Sequence, residues 1–424
     1  MNTVEFIDKI TQLSQSKNPK WAEIFKNCFT NTLETTVKKQ EDGTYYVFTG
    51  DIPAMWLRDS VAQVRPYLVL ANEDEEIKEM IHGLVQRQFD FINKDPYANA
   101  FNEEANSAGH QTDQTQMSPW VWERKYEIDS LCYPIQLAYL YYLATGESSH
   151  FDETFVRGVE KILDLWKVEQ NHANSPYNFI RDTWRKEDTL VNDGKGPKFA
   201  VTGMTWSGFR PSDDACIYSY LVPSNMFAVV VLGYLEDIFS TILPQPALLE
   251  KAITLKKEIQ QGIDEYALVK NQKGEKIFAY EVDGLGNASI MDDSNVPNLM
   301  SAAYIGYCKR DDETYLNTRK TLLSKENPYY YEGAYLKGIG SSHTPENYVW
   351  PIALAIQGLT AQTKEEKEEI LNMLANADAN TFAMHEGVDV NNPENFTREW
   401  FSWANMMFCE LVMDYFDIRV KTGR

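Results

Sequence analysis

The chain has 424 residues, of which 43% are hydrophobic and 13% aromatic, enough apolar side chains for a large folded interior. Its formal net charge is −22, and no cluster of Lys and Arg stands out in the sequence. This charge argues against nucleic acid or an anionic membrane as a partner, because such surfaces are bound through basic patches. A neutral or cationic ligand is expected instead.

Apolar residues recur at helical spacing through most of the chain, which predicts a mainly α protein. A small N-terminal helix is followed by twelve predicted helices, with ends fixed to about ±4 residues. In chain order these lie at 18–37, 59–71, 74–93, 129–144, 151–170, 214–241, 246–268, 296–308, 311–324, 346–361, 364–377 and 398–417. Alternating strand patterns are confined to short pieces such as TYYVF (44–48) and the hairpin-like KNQKGEKIFAYEV (270–282).

The predicted helices are joined by connections that alternate in length. Short links imply antiparallel neighbours, and long connections separate the resulting pairs. The long connections fall near 38–58, 94–128, 171–213, 269–295, 325–345 and 378–397. If helices alternate in direction, every long connection emerges at the same end of the molecule. Six pairs closing on themselves predict an (α/α)6 barrel, one domain spanning 1–424. An open solenoid is the competing arrangement, disfavoured because the pairs share no repeated motif.

The cysteines and the N-terminus indicate the expected compartment. Five scattered cysteines without CxxC spacing predict neither a disulfide framework nor a zinc site, so reduced core residues are expected. The N-terminal MNTVEFIDKITQLSQSKNP has no long apolar run, and no eighteen uninterrupted apolar residues occur in the chain. A cytoplasmic protein is therefore expected. Six scattered His residues, and the lack of common catalytic signatures such as GxSxG or HExxH, predict no metal.

Unusual side chains concentrate in the predicted long loops and at the helix starts that follow them. The segments are GDIPAMWLRDS (50–60), SPWVWERKYEIDSLCYP (118–134), TWSGFRPSDDACIY (205–218), IMDDSNVP (290–297), LKGIGSSHTPENYVWP (336–351) and MHEGVDVNNPENFTREWFSW (384–403). Gathered at one rim, they would line a pocket with Trp56, Trp120, Trp122, Trp206, Trp350, Trp400 and Trp403. Aromatic faces beside carboxylates and Arg suit a sugar, whose C–H faces pack on rings while its hydroxyls accept and donate hydrogen bonds.

Ordinary structural roles compete with this interpretation. Asp59, Asp129, Asp213, Asp293 and Glu399 lie at predicted helix starts, where an acidic side chain caps free N–H groups. Trp and Tyr at helical spacing are also common in cores. Capping does not explain why Trp, Arg, His and Gly accompany these acids at five or six equivalent places.

Hydrolysis of a glycosidic bond generally needs two carboxyl groups, one as acid and one as base or nucleophile. The neighbours Asp213 and Asp214 are the candidate proton donors, because like charges raise the pKa of one carboxyl. A helix N-terminus and Arg210 would act in the opposite direction, so the balance stays open. Glu386 in MHEG is the candidate base, with Glu399 as the competitor.

Two neighbours complete these candidates. Gly387 would allow a ligand to approach Glu386 closely. His343, after GIGSS, would donate to a sugar hydroxyl or cap a helix.

GDIPAMWLRDS, together with WSGFRPSDDA, KGIGSSHTP and the MHEG to EWFSW region, resembles glycoside hydrolase family 125, the exo-acting, metal-independent α-1,6-mannosidases of bacteria and fungi. The resemblance spans residues from about 20 to 417. It implies an (α/α)6 catalytic domain, inversion at the anomeric carbon, a mannose-containing oligosaccharide as substrate, and no cofactor. Oligomeric state is left open.

The resemblance also implies roles for individual residues. Asp213 would be the general acid, with Asp214 as the near alternative, and Glu386 the general base, with the two carboxyls about 6.5–9.5 Å apart. Trp56, Arg58 and Asp59 would form the wall of the terminal mannose subsite. The expected hydroxyl partners are Asp129, Arg210, Asp214 and His343.

Two alternatives to the mannosidase interpretation remain. One is another (α/α)6 carbohydrate enzyme, an α-glucosidase or a sugar phosphorylase, of which the latter would need a cationic phosphate site. The other is a carbohydrate-binding protein without catalytic activity.

Overall fold

The computed structural model describes residues 1–423, and thirteen helices within them form most of the structure. They are α1 (Thr3–Gln15), α2 (Pro19–Asn31), α3 (Leu57–Val64), α4 (Glu75–Lys94), α5 (Ile128–Thr145), α6 (Glu153–Glu169), α7 (Val191–Gly194), α8 (Val222–Asp237), α9 (Pro246–Tyr266), α10 (Glu313–Leu322), α11 (Pro351–Leu359), α12 (Lys364–Asn376) and α13 (Ser402–Tyr415). The segment α7 is a single turn with left-handed backbone at Asn192 and Asp193. Short π-helical segments, Thr32–Thr36 and Ile238–Ile242, extend α2 and α8. The predicted mainly α class is confirmed.

Fifteen short strands lie between the described helices and form small antiparallel sheets. They are β1 (Val37–Lys39), β2 (Tyr45–Val47), β3 (Met55–Trp56), β4 (Ala100–Phe101), β5 (Val121–Glu123), β6 (Tyr220–Leu221), β7 (Leu268–Lys270), β8 (Lys276–Phe278), β9 (Glu281–Val282), β10 (Ala288–Ser289), β11 (Tyr330–Glu332), β12 (Lys337–Ile339), β13 (Tyr348–Val349), β14 (Gly387–Asp389) and β15 (Asn392–Thr397). The predicted strand at 44–48 is β2, and the predicted hairpin at 270–282 contains the β7–β8 pair, in which Leu268 faces Phe278.

Helix contacts follow a closed circuit. Helix α3 packs against α5 on one side and α13 on the other, α5 packs against α8, and α11 packs against α13. A 3-10 turn, Met300–Ala302, contacts both α8 and α11 and completes the circuit. Helices α2, α4, α9, α10 and α12 pack against members of this circuit, and α6 contacts α4 and α9.

The helices of this circuit are more completely buried than the helices that pack around it. Every residue of α13 is buried, and so is every residue of α8 from Val222 to Leu235. Helices α4 and α6 instead bury one face, as expected for amphipathic helices at a protein surface. Among the described residues, Val222–Ile242 is the one helical stretch apolar enough to cross a membrane, and 72% of its apolar window lies inside the protein. That burial is typical of a core helix.

Some predicted helix boundaries are wrong, and the structure gives physical reasons. The helix predicted at 296–308 is reduced to the Met300–Ala302 turn. The Asp292 carboxylate there accepts hydrogen bonds from the N–H groups of Leu299 and Met300, and such side-chain bonds compete with helix formation.

Three other helices begin later than predicted. The helices predicted from 214 and 346 begin at Val222 and Pro351, because strands β6 and β13 precede them. The helix predicted from 398 begins at Ser402, after Phe401 forms a β-bridge with Gly50.

One connected cluster of buried apolar side chains extends from Phe6 to Tyr415. Within the described chain all five cysteines are free, and four of them are buried, as predicted. Large aromatic side chains such as Trp166 and Trp206 lie fully inside this cluster.

Candidate active site

A cavity of about 190 Å³ lies at the N-terminal ends of α3, α11 and α13. It is smaller than the roughly 300–1,000 Å³ of typical ligand pockets, a size suited to one sugar unit. Its lining residues are Thr49, Ile52, Trp56, Arg58, Asp59, Pro211, Ser212, Asp213, Asn295, His343, Trp350, Glu386, Arg398, Phe401 and Trp403. Five of the six segments singled out in the sequence contribute to this lining, and the sixth, 118–134, lies behind it.

The loop before α3 and the loop before α13 meet at this cavity. Gly50 forms a β-bridge with Phe401, and a Cβ at Gly50 would lie 2.8 Å from the carbonyl oxygen of Trp400. Gly50 also has φ +128°, a conformation open only to glycine, so the approach of the two loops depends on this residue. Arg398 reinforces the contact, donating from Nη2 to Asp51 Oδ1 at 2.5 Å.

Arg58 is the electrostatic centre of the site. Its guanidinium Nη1 donates to Glu127 Oε2 at 2.5 Å, and Nη2 donates to Asp213 Oδ1 at 3.4 Å. Its Nε lies 3.4 Å from Asp59 Oδ1, and Nη1 lies 3.7 Å from Asp129 Oδ2. The buried Arg58 guanidinium therefore interacts with four carboxyl groups.

Four carboxyls around one guanidinium cannot all ionise freely. Burial raises the pKa of Asp59 to about 6, against the pull of Arg58, and burial likewise raises the pKa values of Asp129 and Glu127. Burial also opposes ionisation of Asp213, but Arg58 and a hydrogen bond from Glu127 hold the pKa of Asp213 below its usual value. The cluster therefore retains a proton near neutral pH.

Asp214 faces away from this cluster, and the expected Asp213–Asp214 repulsion is not what the structure shows. The Asp214 carboxyl is fully buried and accepts hydrogen bonds from Arg185 at 3.0 Å and Ser342 at 2.6 Å. Burial opposes its ionisation, but a hydrogen bond from His343 and the charges of His343 and Arg185 hold the pKa of Asp214 well below its usual range. The carboxyl paired with Asp213 is that of Glu127, which the sequence did not single out.

His343 and Glu386 contribute a second charged group of the cavity wall. Burial acts to lower the pKa of His343, but the hydrogen bond to Asp214 and the nearby charges of Asp214, Glu386 and Asp213 raise it overall. Glu386 is 6% exposed, and its Oε1 lies 3.6 Å from Arg398 Nη1. Asp213 and Glu386, the two candidate catalytic carboxyls, thus line one cavity together with His343, whose pKa is raised.

Other predicted binding residues divide into two groups. Trp56, Arg58, Asp59 and His343 lie on the cavity wall as predicted. Asp129, Arg210 and Asp214 are buried and do not line it, so the structure does not place them in contact with the cavity, and their role as hydroxyl partners stays a prediction. Asp129 lies fully buried behind Arg58 and accepts from Ser224 at 3.4 Å.

Arg210 is engaged elsewhere, because it donates from Nε to Glu281 at 2.6 Å and packs over the Tyr280 ring. It supports the loop that carries Asp213 from behind the wall.

Capping does not account for the acidic residues. The N-caps of α3 and α5 are Trp56 and Glu127, and neither makes a side-chain capping hydrogen bond. Asp213 lies in a loop with left-handed φ of 67°. Asp293 and Glu399 also lie outside the regular helices.

The predicted aromatic lining is only partly present. Of the seven tryptophans predicted to line the pocket, Trp56, Trp350 and Trp403 do so. Trp206 instead stacks on His172 within the core, and Trp400 donates to Asn31 outside the lining. Trp120 and Trp122 are also absent from the described lining.

Residues that were not predicted also shape the site. Ser212, Asn295 and Arg398 line it, and Glu127 supports it from behind. All four lie inside the segments quoted from the sequence, but composition alone could not say which side chains of a segment turn inward. Gly387 lies in strand β14, where an added Cβ would lie 3.2 Å from Thr397 Oγ1 and 3.3 Å from Trp350 Nε1, and its role in ligand approach stays a prediction.

Within residues 1–423 no group of three or more His, Cys, Asp or Glu side chains is arranged to hold a metal ion. The cavity does combine three carboxyls, two guanidiniums, an imidazole and aromatic faces. This set can provide general acid and base catalysis and hold a polar, neutral ligand.

Comparison with known proteins gives a consistent result. The profile of a family described as metal-independent α-mannosidase (GH125) matches residues 18–413. A metal-independent α-mannosidase structure from Streptococcus pneumoniae, a non-productive substrate complex with α-1,6-mannobiose, is 59% identical with a TM-score of 0.97 and covers 98% of each chain. The meiotically up-regulated gene 157 protein of Schizosaccharomyces pombe is 38% identical over 416 residues, which are 93% of this chain and 82% of that protein.

A more distant structure shares only the fold. The GH78 family rhamnosidase of Bacillus sp. GL1 is 12% identical, with a TM-score of 0.54 over 93% of this chain and 35% of that chain.

Proposed function

Because the chain belongs to glycoside hydrolase family 125, the metal-independent α-mannosidases, we propose that it removes single mannose units from non-reducing, α-1,6-linked ends of mannose-containing oligosaccharides. The observation that carries this proposal is the presence of Asp213 and Glu386 in one small cavity. The cavity volume favours a single terminal sugar and hence exo action. The α-1,6-mannobiose bound by the Streptococcus pneumoniae relative supports the linkage.

Asp213 protonates the glycosidic oxygen in the proposed mechanism. Its side chain is 24% exposed and lines the cavity, whereas the neighbouring Asp214 carboxyl is fully buried. Glu386 draws a proton from a water molecule that attacks the anomeric carbon from the other face, giving inversion. Glu399, the competing base, is exposed and lies outside the described lining.

The other lining residues hold the sugar. Arg58 and Asp59 offer charged hydrogen-bond partners to its hydroxyls, and His343 adds a donor. The rings of Trp56 and Trp403 provide apolar faces for its C–H surfaces.

The fold and the setting complete the proposal. The closed circuit of helix contacts supports an (α/α)6 barrel, with residues 1–424 as one catalytic domain. Free, mostly buried cysteines support a cytoplasmic location, and the net charge of −22 supports a partner that is neither nucleic acid nor membrane.

Release of mannose from α-1,6-mannobiose by the wild type and by Asp213→Asn tests the proposal. The wild type is expected to release mannose without added phosphate, and the folded variant to lose about 10²–10⁴-fold in kcat. Binding without any release would identify a carbohydrate-binding protein. A requirement for phosphate would identify a phosphorylase. Either result overturns the proposal.

A further inference from the structure

We propose that Glu127 is a positioning residue that shares a single proton with Asp213 and keeps that proton available for the departing glycosidic oxygen. The inference rests on the proposed function, in which Asp213 is the general acid. It concerns a fully buried carboxyl that the hydrolytic mechanism above does not use.

The carboxyls of Glu127 and Asp213 are bridged by two shared hydrogen-bond donors, Arg58 and Asn99. Both carboxyls lie against the same two donor groups, which holds them close enough to compete for one proton. Arg58 spans the pair through its two Nη atoms. Asn99 spans it as well, because its Nδ2 lies 3.2 Å from Asp213 Oδ1 and 3.4 Å from Glu127 Oε1.

The two carboxyls of the pair differ in their exposure to the cavity. The Glu127 side chain has no exposed surface, whereas that of Asp213 opens onto the cavity. Only Asp213 can therefore reach a substrate. Glu127 is held by Arg58 at 2.5 Å and by the hydroxyl of Ser130 at 2.8 Å, donors that support its carboxylate form when the proton moves to Asp213.

Charges around the pair keep it singly protonated. The cations that face it are Arg58, Lys125 and His343, and the carboxyls are Asp59, Glu123 and Asp129. Loss of the last proton would place two adjacent anions among three further carboxyls, which is unfavourable in a buried site. The pair therefore retains its proton to a higher pH than Asp213 could alone.

The proton is conserved through the step. The O–H bond of Glu127 breaks as the proton passes to Asp213. The O–H bond of Asp213 then breaks as the glycosidic oxygen gains the proton and keeps the electron pair of the broken C1–O bond. Glu386 takes the proton lost by water. The pair, now doubly ionised, regains a proton from solvent at the exposed side of Asp213.

Glu127→Gln tests this arrangement, because Gln keeps the shape and a hydrogen-bond donor but has no proton to supply. With α-1,6-mannobiose, the alkaline limb of the pH profile of kcat/KM is expected to move to lower pH by roughly one unit or more. At neutral pH kcat/KM should then fall about tenfold or more. With 2,4-dinitrophenyl α-mannoside, whose leaving group needs no proton, the loss should stay below about threefold.

Two further variants separate this role from a structural one. Glu127→Asp keeps a carboxyl at a greater distance and should move the limb in the same direction by less, which also decides the matter if Glu127→Gln does not fold. Glu169→Gln alters another buried glutamate, bound to His172 and Tyr97 outside the cavity lining, and should leave the limb in place.

An unmoved alkaline limb in both Glu127 variants overturns the inference, and so do equal losses on the two substrates. A wild type that fails to hydrolyse α-1,6-mannobiose overturns the proposed function instead, so the two failures are distinguishable.

Discussion

His343 Nδ1 lies 2.9 Å from Asp214 Oδ1, so a carboxyl outside the cavity helps to raise the pKa of an imidazole on the cavity wall. Asp214 is in turn held by Arg185 and Ser342. The residue next to the proposed acid thus acts on the site through a histidine and not through direct contact.

Replacing Asp214 by Asn should lower the pKa of His343, because the hydrogen bond and the negative charge that raise this pKa are lost. A raised folded-state pKa stabilises the fold below the unfolded value near 6.5, and this contribution disappears as pH rises through the folded value. The variant should therefore lose stability most at acidic pH. NMR titration of the His343 ring, assigned by comparison with His343→Gln, measures the shift. An unchanged pKa would contradict the coupling.

Replacing Glu386 by Ala should reduce hydrolysis by about 10²–10⁴-fold, because no other group would deprotonate the attacking water. Azide attacks without losing a proton, so it should restore turnover of 2,4-dinitrophenyl α-mannoside and give β-mannosyl azide. Product analysis by NMR measures this. Glu399→Ala, at an exposed position outside the described lining, serves as the control and should keep wild-type activity. Failure of azide to rescue would count against Glu386 as base.

Inversion predicts that β-mannose is released first from an α-linked substrate. Proton NMR of the anomeric signals in the first minutes, before mutarotation, measures the initial product. Initial α-mannose would show retention, and the carboxyl pair would then need a different assignment.

Replacing Asp59 by Asn should stabilise the fold while impairing turnover. Burial raises the pKa of Asp59 from 3.8 to about 6, so folding favours its protonated form. The stabilisation by protonated Asp59 is lost as pH rises through about 6. At neutral pH the buried Asp59 anion therefore destabilises the folded state, by on the order of 1–3 kcal/mol.

Chemical denaturation of the Asp59→Asn variant should show a higher midpoint at neutral pH, and the gain should shrink toward pH about 4. Its kcat/KM for α-1,6-mannobiose should fall about 10- to 100-fold, through loss of a charged hydrogen-bond partner for the sugar. Unchanged turnover and inhibitor binding in the folded variant would remove Asp59 from the subsite.

Replacing Gly50 by Ala should destabilise the junction of the loops before α3 and α13 by about 2 kcal/mol or more, because strain at φ +128° adds to the 2.8 Å approach of the new Cβ to the Trp400 carbonyl oxygen. Gly274→Ala is the matched control, since Gly274 also has positive φ but open space around it, and should lose only about 1 kcal/mol. Thermal unfolding measures both. Equal losses of stability in the two variants would mean that the close approach to Trp400 does not destabilise the Gly50→Ala variant.

Sequence periodicity predicted the helices well where burial follows a regular pattern. The predicted 74–93 and 364–377 correspond closely to α4 and α12. It failed at 296–308, where Asp292 binds backbone N–H groups from outside the segment. A side chain several residues away leaves no trace in local periodicity.

The sequence predicted which segments form the site, but it did not predict which of their side chains face the cavity. Asp213 and Asp214 are neighbours in sequence, yet one turns to Arg58 and the other to Arg185. Sequence spacing could not reveal this, because loop residues follow no regular alternation of faces. Glu127 was missed for the same reason, since its partner lies 86 positions away in the sequence.

The closed circuit of helices has a consequence for how such a protein can diversify. An open stack of helical hairpins can grow by gaining another unit at either end, and its binding surface lengthens accordingly. Here α3 already packs against α13, so the ring has no free end to extend. A further helix would have to be inserted into this circuit, and it would widen the circuit beside the cavity. New specificity in this architecture is therefore expected to arise from the loops that line the cavity, while the circuit of helices stays the same.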